Sequence, residues 1–473
     1  MLDPIVSGKN GQLVGNSSNP VRSGVSLAAA SRFWLQLGLV SFGGPAGQIA
    51  LLHRELVERR RWLSERRYLH ALNYCMLLPG PEATQLATYL GWLMHGVPGG
   101  LIAGGLFLAP SVLVLTVLSA IYVQWGQLPL LVSVFAVLKP AVLAIVVVAA
   151  WRLGRRILHT PLLGALAAAA FIGLALLRLP YPLVVGLAAL IGWIVARWRP
   201  DLILVAPLPS PQLNRAEPEG VPASDFIHGD HTPSPSHAQF SPRRLAVILL
   251  VWGLALLVPL AALVALGGWN GTLALMARFF SRVALLSFGG AYAVLPYVAQ
   301  GAVEQFGWLT AAQMLDGLAL GETTPGPLIM VLAFVGFMGG WTRGFSGDLG
   351  ADLVGEPGSW PAALAATLVT AWFTFLPSFG FILAGAPLVE ASRGDLRLGA
   401  PLTAITAAVV GVIASLAVFF AVPVLWSGAG FNSPAALVVA LTLIILVKLR
   451  WGVLQVIGLA AGIGVGMQLL RGL

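Results

Sequence analysis

The 473-residue chain is short of two things that a soluble protein uses freely, charge and cysteine. Asp, Glu, Lys and Arg together make up 10% of it, where soluble domains run nearer a quarter. That deficit excludes a water-facing surface of ordinary extent. A single cysteine, Cys75, excludes internal disulfides, CxxC redox pairs and thiolate metal clusters. No HExxH, nucleophile elbow, P-loop or haem-attachment motif occurs, which removes the usual signatures of an integral-membrane enzyme. Residues 1–25 are polar, rich in Gly, Ser and Asn, and lack a signal peptide's apolar region and cleavage site, so they are expected to be a disordered tail.

What is present is apolar sequence. Hydrophobic residues make up 58% of the chain and its mean hydropathy is +0.87, the composition of an all-α polytopic membrane protein. Apolar runs cover about 98–123, 129–150, 161–177, 180–196, 245–266, 361–386, 400–425, 434–447 and 452–470, most of them long enough to span as helices. The net charge of +9 comes from Arg in short loops beside these runs. Such charges set membrane orientation, and no nucleic-acid partner is expected.

Within this background a pair of helix breakers recurs. Residues 41–44 read SFGG and 79–81 read PGP; 287–290 read SFGG and 325–327 read PGP, both displaced by 246 positions. The same offset pairs Arg32 with Arg278, Phe33 with Phe279, Glu58 with Glu304, and Trp62 and Leu63 with Trp308 and Leu309, so the chain contains an internal duplication. Farther on the offset becomes 267, pairing Pro110 and Ser111 with Pro377 and Ser378. The second half therefore carries a 21-residue insertion near 342–361, made acidic by Asp348, Asp352 and Glu356 and expected as a surface loop.

The organisation that follows is a first repeat over 26–198, a disordered Pro-rich linker over 199–243, a connecting transmembrane helix over 244–271 and a second repeat over 272–473. His228, His231 and His237 with Asp230 have the residue types of a metal tract, but their setting is compositionally a linker and no metal is expected. If each long run crosses once, the clusters Arg152/Arg155/Arg156, Arg197/Arg199 with Arg243/Arg244, Arg393/Arg397 and Lys448/Arg450 all fall on one side, the cytoplasm. The loop 53–67 carries six Arg, and its counterpart 299–313 carries none. An odd number of crossings between equivalent points makes the halves inverted repeats. Two placements of the broken segments stay open: re-entrant hairpins, which keep the six-Arg loop cytoplasmic, or kinked full crossings.

A helix that starts inside a membrane leaves several N–H groups unpaired and carries partial positive charge, an anion site by construction. Gly43 and Gly44, the run Pro79, Gly80 and Pro81, Gly289 and Gly290, and the run Pro325, Gly326 and Pro327 would supply four such starts. Paired breakers in matching places of two hydrophobic halves point to a transporter's binding site. The alternative is that Gly allows close packing and Pro merely kinks. Lys139 lies inside the run 129–150, where an unpaired ammonium costs at least ~2.5 kcal/mol; it is read as a substrate residue, against snorkelling or a structural ion pair. Its repeat equivalent is Thr406. Glu82 and Glu322 flank the two PGP elements, either as caps or as carboxylates that exchange protons. Thr84, Gln85, Thr323 and Thr324, with Asn73 and Thr88, are hydrogen-bond donors for an oxyanion or glue between helices. Arg32 and Arg278 steer anions or sit at the interface. His70 and Asp316, equivalent to each other and near segment ends, read as solvated faces.

At these residues the chain resembles the chromate ion transporter family, specifically its long two-domain members. The matching pieces are SFGGP at 41–45, Trp62 and Leu63, LLPGPEATQLATYLGW at 77–92, and the second-half SFGG and TTPGPL. The resemblance implies about thirteen membrane segments in two antiparallel halves, the same total as nine crossings plus four broken segments. It also implies an inner-membrane exporter of chromate that confers resistance, driven by the electrochemical gradient, with sulfate as a related oxyanion. The expected partners are the oxyanion, protons, the bilayer and, in a homodimer, a second copy; no cofactor is expected. A passive or exchange-type anion channel or sulfate transporter would use the same helix ends, and a membrane enzyme is the more distant alternative.

Overall fold

The computed structural model describes residues 25–199, 202–203, 226–229, 232, 235–344, 356–392, 399–427 and 430–471. The tail up to residue 24, most of 199–243 including Asp230 and His231, the Asp348 and Asp352 portion of the insertion, and Arg393 and Arg397 lie outside the described residues.

In the first half, α1 (Leu27–Val40), α2 (Gly44–His53, continued by a π turn Arg54–Arg59), α3 (Glu65–Leu77) and α4 (Glu82–Trp125) precede α5 (Pro129–Ile157), α6 (Pro161–Ala175) and α7 (Tyr181–Trp198). Helix α8 (Pro242–Gly267) joins the halves. The second half repeats the order with α9 (Thr272–Leu286), α10 (Ala291–Ala299, continued by a π turn Gln300–Gln305), α11 (Ala311–Thr323), a 3-10 turn (Leu328–Met330) and α12 (Val331–Arg343). It closes with α13 (Trp360–Ser392), α14 (Gly399–Leu425), α15 (Ser433–Val447) and α16 (Val453–Arg471). Among the described residues, strand is confined to a two-residue pair, Trp426–Ser427 with Gly430–Phe431. Seven helices are long and apolar enough to cross a membrane, and α6 and α15 are shorter apolar helices. The protein is an all-α polytopic membrane protein.

Both π turns follow a broken segment at the same repeat position, so the duplication extends to backbone irregularity. The broken segments fold back on themselves. Tyr74 and Tyr89 stand fifteen residues apart, which is ~22 Å along one helix, yet their rings are 6.0 Å apart across the PGP break. Phe279 on α9 meets Tyr297 on α10 at 5.2 Å across SFGG, and Phe33 meets Trp62 at 4.8 Å in the first half. The Phe334 ring of α12 lies against Gly317 of α11. Each break is therefore the tip of a helical hairpin.

Helix α4 itself turns back. His95 and Gly96 leave helical geometry, Gly96 at φ 66°. The two legs then pass so closely that a Cβ on Gly91 would lie 2.4 Å from both the Gly99 carbonyl oxygen and the Ala103 methyl. Only glycine fits such an approach. In the second half α12 and α13 make the equivalent hairpin, with Gly340 against Ala362 and Ala366.

Two large packed regions result, beside a small one between α6 and α14 that includes Leu163 and Ala404. The first-half hairpins form one cluster with α4 and the far end of α13, including Trp34, Leu52, Tyr68, Leu86, Ile382 and Ala386. The second-half hairpins form a larger one with α5 and α14, including Phe280, Met314, Val331, Val142 and Val409. Helix α8 buries no residue; it leans on α13 through Trp252 Nε1, which donates to the Leu376 carbonyl at 3.2 Å, and leaves Leu250, Val251, Leu254 and Leu257 exposed, as expected of a lipid-facing helix.

The described pieces of 199–243 are attached to the first half rather than loose. Ile227 and His228 donate backbone hydrogen bonds to Arg61 and Trp62, and Ser64 donates to His228. His237 Nε2 meets the Trp92 carbonyl at 2.9 Å with its ring edge-on to the indole. Burial, and then the neighbouring Arg67, His237 and His95, push His228 down to about 4, so charging this imidazole works against a segment whose backbone is docked there.

Two outcomes are expected. Replacing Gly91 by Val forces the α4 legs apart at a cost of roughly 1–3 kcal/mol; it should remove most monodisperse protein from detergent extracts, whereas Gly105→Ala, where nothing lies within 4 Å of the added methyl, should leave the yield unchanged. A depressed His pKa contributes stability above its unfolded value, ~6.5, and loses it as pH falls toward the folded value. Protease protection around His228 should thus decline between pH 6.5 and 4, and His228→Asn should flatten that profile.

Candidate functional site

The four hairpin tips meet, and they do so reciprocally between halves. The amide of Gly80 donates to the carbonyl of Ser287 at 2.8 Å, and the amide of Gly326 donates to the carbonyl of Ser41 at 2.7 Å. Gly80 and Gly326 are equivalent in the repeat, as are Ser41 and Ser287. Each PGP of one half is thus bonded to the SFGG of the other. Gly80 and Gly326 have φ of 127° and 109°, which a side chain resists, and there is no room for one. A Cβ on Gly80 would lie 2.3 Å from Ser378 Oγ, and one on Gly326 would lie 1.7 Å from Ser111 Oγ, again an equivalent pair. Within the second half, Tyr292 at the start of α10 donates to Glu322 at the end of α11, joining the two tips of that half and with them the two pairs.

Helices start at all four places. Gly43 is left-handed and caps α2, whose first residue is Gly44; Pro81 caps α4, whose first residue is Glu82; Gly290 caps α10; and Pro327 caps the 3-10 turn that leads into α12. The first N–H groups of each have no carbonyl of their own helix to meet. Gln85 Nε2 donates to the Pro79 carbonyl at 2.7 Å and Gln48 Nε2 to the Ser41 carbonyl at 3.3 Å, so buried amides hold two tips in shape. Gln48 was not singled out from sequence; a buried amide in an apolar helix beside SFGG was the available signal.

The other expected site residues divide. Glu82 is half-buried at the first turn of α4, without a hydrogen bond or ion pair to a described residue. Thr84 is fully buried with an unpartnered hydroxyl. Thr323 and Thr324 donate to carbonyls of their own helix, at Leu320 and Gly321, and Thr88 donates to Thr84, so these hydroxyls are taken. Asn73 and Arg32 are exposed, and Arg278 lies over the Trp269 ring at 4.1 Å and donates to its carbonyl.

Lys139 stands apart from the tips. Its ammonium is 3.3 Å from Asp316 Oδ2, which also accepts from Tyr122 at 2.8 Å. Asp316 sits nine residues before Pro325 on α11, ~13 Å down the helix. The solvated face expected for Asp316 is wrong: it is buried at 3% exposure, because an ammonium in an apolar helix needs a counter-ion and α11 supplies it. The signal was an acid in one apolar helix and a lone Lys in another. His70, its equivalent, is half-buried and meets the Val389 carbonyl at 3.3 Å.

The site thus offers helix starts, buried amides and hydroxyls, and carboxylates at the tips, with its one lysine neutralised elsewhere. Such a set suits a multiply charged oxyanion better than a cation or an apolar solute.

Known proteins agree in kind. The chain is 32% identical over 386 residues to a chromate transport protein of Pseudomonas aeruginosa, covering 80% of this chain and 77% of that one. It is 28% identical over 403 residues to a probable chromate transport protein of Synechococcus elongatus, covering 84% and 85%, and 27% identical over 418 residues to a chromate transport protein of Cupriavidus metallidurans, covering 88% and 87%. No solved structure matches the chain significantly. The sequence profile described as chromate transporter matches residues 28–193 and again 274–465, one stretch per half with the joining segment and α8 left between them. With both halves matched, the chain belongs to the chromate transporter family.

Proposed function

We propose that this protein carries chromate out of the cytoplasm across the inner membrane at the expense of the proton gradient, conferring chromate resistance, with sulfate as a competing oxyanion. The observation that carries this reading is the reciprocal meeting of four helix starts inside an apolar molecule. The relatives named above supply the ion; the helix starts supply a reason for an anion.

The halves are read as inverted in the membrane. If each hairpin enters and leaves on one side, the six-Arg turn, Arg152 to Arg156, Arg197 and Lys448 all lie on the side toward which the first-half hairpins open. The second-half hairpins then open the other way. This counting fits Arg152 donating to the Leu446 carbonyl and Arg343 donating to the Phe306 carbonyl, each of which joins two ends assigned to one side. Substrate would meet the tips Gly43 and Gly44, Pro79 to Pro81, Gly289 and Gly290, and Pro325 to Pro327 near the midplane.

For protons, Glu82 is the stronger of the two carboxylates. Glu322 is engaged by Tyr292, whereas Glu82 has no such partner and stands where the anion's charge would be felt. Spending the proton gradient requires a proton to enter as chromate leaves, so Glu82 takes up a proton from the outside once the anion has gone and gives it up to the cytoplasm before the next anion binds. Lys139 is assigned to its ion pair, which ties α5 to α11 and leaves the dianion to the tips.

Three outcomes follow. Everted vesicles should accumulate chromate uphill, and an uncoupler should collapse the gradient; equilibration only down the gradient would mean a channel. Glu82→Gln should keep downhill exchange but flatten the response to an imposed pH difference, whereas Glu322→Gln should retain it. Lys139→Gln and Asp316→Asn should each cut transport more than tenfold by leaving a buried charge unpaired, and the double variant should recover much of it. A double variant as inactive as Lys139→Gln alone would instead put the ammonium on the substrate.

A further inference from the structure

The repeat makes two tips that look interchangeable, but their polar atoms are not in the same state. At the Gly326 tip every hydroxyl is used: Ser111 Oγ donates to the Pro325 carbonyl at 2.5 Å, and Ser41 Oγ donates to the Gly38 carbonyl at 3.2 Å. At the Gly80 tip the equivalent hydroxyls of Ser378 and Ser287 are buried, at 2% and 1% exposure, and neither has a partner. The first helical turn beyond differs in the same sense. After Pro81 come Thr84, fully buried with its Oγ1 unpartnered, and Gln85, fully buried with its amide nitrogen donating to the Pro79 carbonyl. Their equivalents after Pro327 are Met330 and Val331, which are apolar and buried.

Ser378 lies at the Gly80 tip, and Ser287 is joined to it through its backbone. The amide of Gly80 binds the Ser287 carbonyl, bringing Ser287 to the tip. The position a Cβ would take on Gly80 is 2.3 Å from Ser378 Oγ and 2.8 Å from Gln85 Nε2. Thr84 lies in the first turn of the helix that begins there, where the N–H groups of Glu82, Ala83 and Thr84 precede the first intrahelical donor, Gln85, which bonds the Pro81 carbonyl. A buried hydroxyl without a partner is costly, and three at one helix start, with none at its pseudo-symmetric twin, mark a place built for a hydrogen-bond acceptor.

We propose that the transporter has one oxyanion site rather than two: a tetrahedral oxyanion is bound at the Gly80 tip by the hydroxyls of Ser287, Ser378 and Thr84 and the N-terminal amides of α4, while the Gly326 tip is a structural joint. The proposal rests on the anion-transport reading above and assigns its substrate to one half-site. Ser287 and Ser378 belong to the second half and Thr84 to the first, so the anion is shared between the halves. Rearrangement of one half against the other would therefore change its ligand set.

The test compares equivalent positions. Binding of chromate, and separately of sulfate, to purified full-length protein in detergent is followed by titration calorimetry for Ser287→Ala, Ser378→Ala and Thr84→Val and for the matched Ser41→Ala and Ser111→Ala, with monodispersity checked for each. The first three should each weaken binding about tenfold and leave the protein monodisperse, with one ion bound per wild-type chain. The second pair should leave affinity within about twofold wherever the protein remains monodisperse. Two ions per chain, equal losses at both tips, losses confined to Ser41 and Ser111, or no binding of either oxyanion by the wild type would overturn the single-site assignment. Vesicle transport separates this from the broader reading. A wild type that transports chromate while the three variants bind it normally sinks the site alone, and one that binds with the stated pattern but moves no ion sinks transport alone.

Discussion

A backbone group left unpaired in hydrocarbon costs several kcal/mol, and every helix that stops inside a membrane leaves a set of them. This protein stops four helices inside an apolar molecule. Two amides out of this set, Gly80 and Gly326, are answered by carbonyls of the opposite half, Ser287 and Ser41. Neither half can close its own tips in this way. The remaining arrangement follows: glycine where a side chain would strike Ser378 or Ser111, hairpins tight enough to bring the tips inward, and buried glutamines bracing the tip carbonyls.

Duplication supplies the geometry and divergence supplies the chemistry. Around the shared tips the first half places Gln48, Thr84, Gln85 and Thr88 where the second half has Val294, Met330, Val331 and Phe334, all eight buried. The second half accordingly carries the larger apolar cluster, uniting its hairpins with α5 and α14. The polar inventory of the second half lies instead on α13, where Thr367, Thr370, Thr374 and Ser378 form a buried face at helical spacing. One half packs and the other solvates, and the two polar faces meet near Gly80.

Much of this was legible in the chain. The breakers, their offset of 246, the later offset of 267 and the nine long apolar runs are sequence facts, and each reappears as a tip, a reciprocal contact or a helix. Folding back was not decidable from sequence, because a 13-residue leg such as α3 has the same composition whether the chain kinks or reverses; the Tyr74 and Tyr89 rings decide it. The Lys139 and Asp316 pair was hidden for a different reason. Proximity to a segment end says nothing about depth once that end is tucked inside the protein. Whether a hydroxyl is spent or spare is also invisible along the chain, since Ser111 and Ser378 occupy matching positions with opposite bonding.

The ion pair adds a final asymmetry. At the positions equivalent to Lys139 and Asp316, Thr406 donates to the Leu402 carbonyl of its own helix and His70 meets the Val389 carbonyl. No charge pair ties those two residues. In a transporter with inverted halves, the two end states differ by an exchange of roles between repeats, and a fully symmetric molecule would populate them equally. On the inverted reading, the pair between α5 and α11 favours the described arrangement, since in the other state the matching contact has no charges to make it. On that reading, one lysine remote from the tips biases which side the site faces.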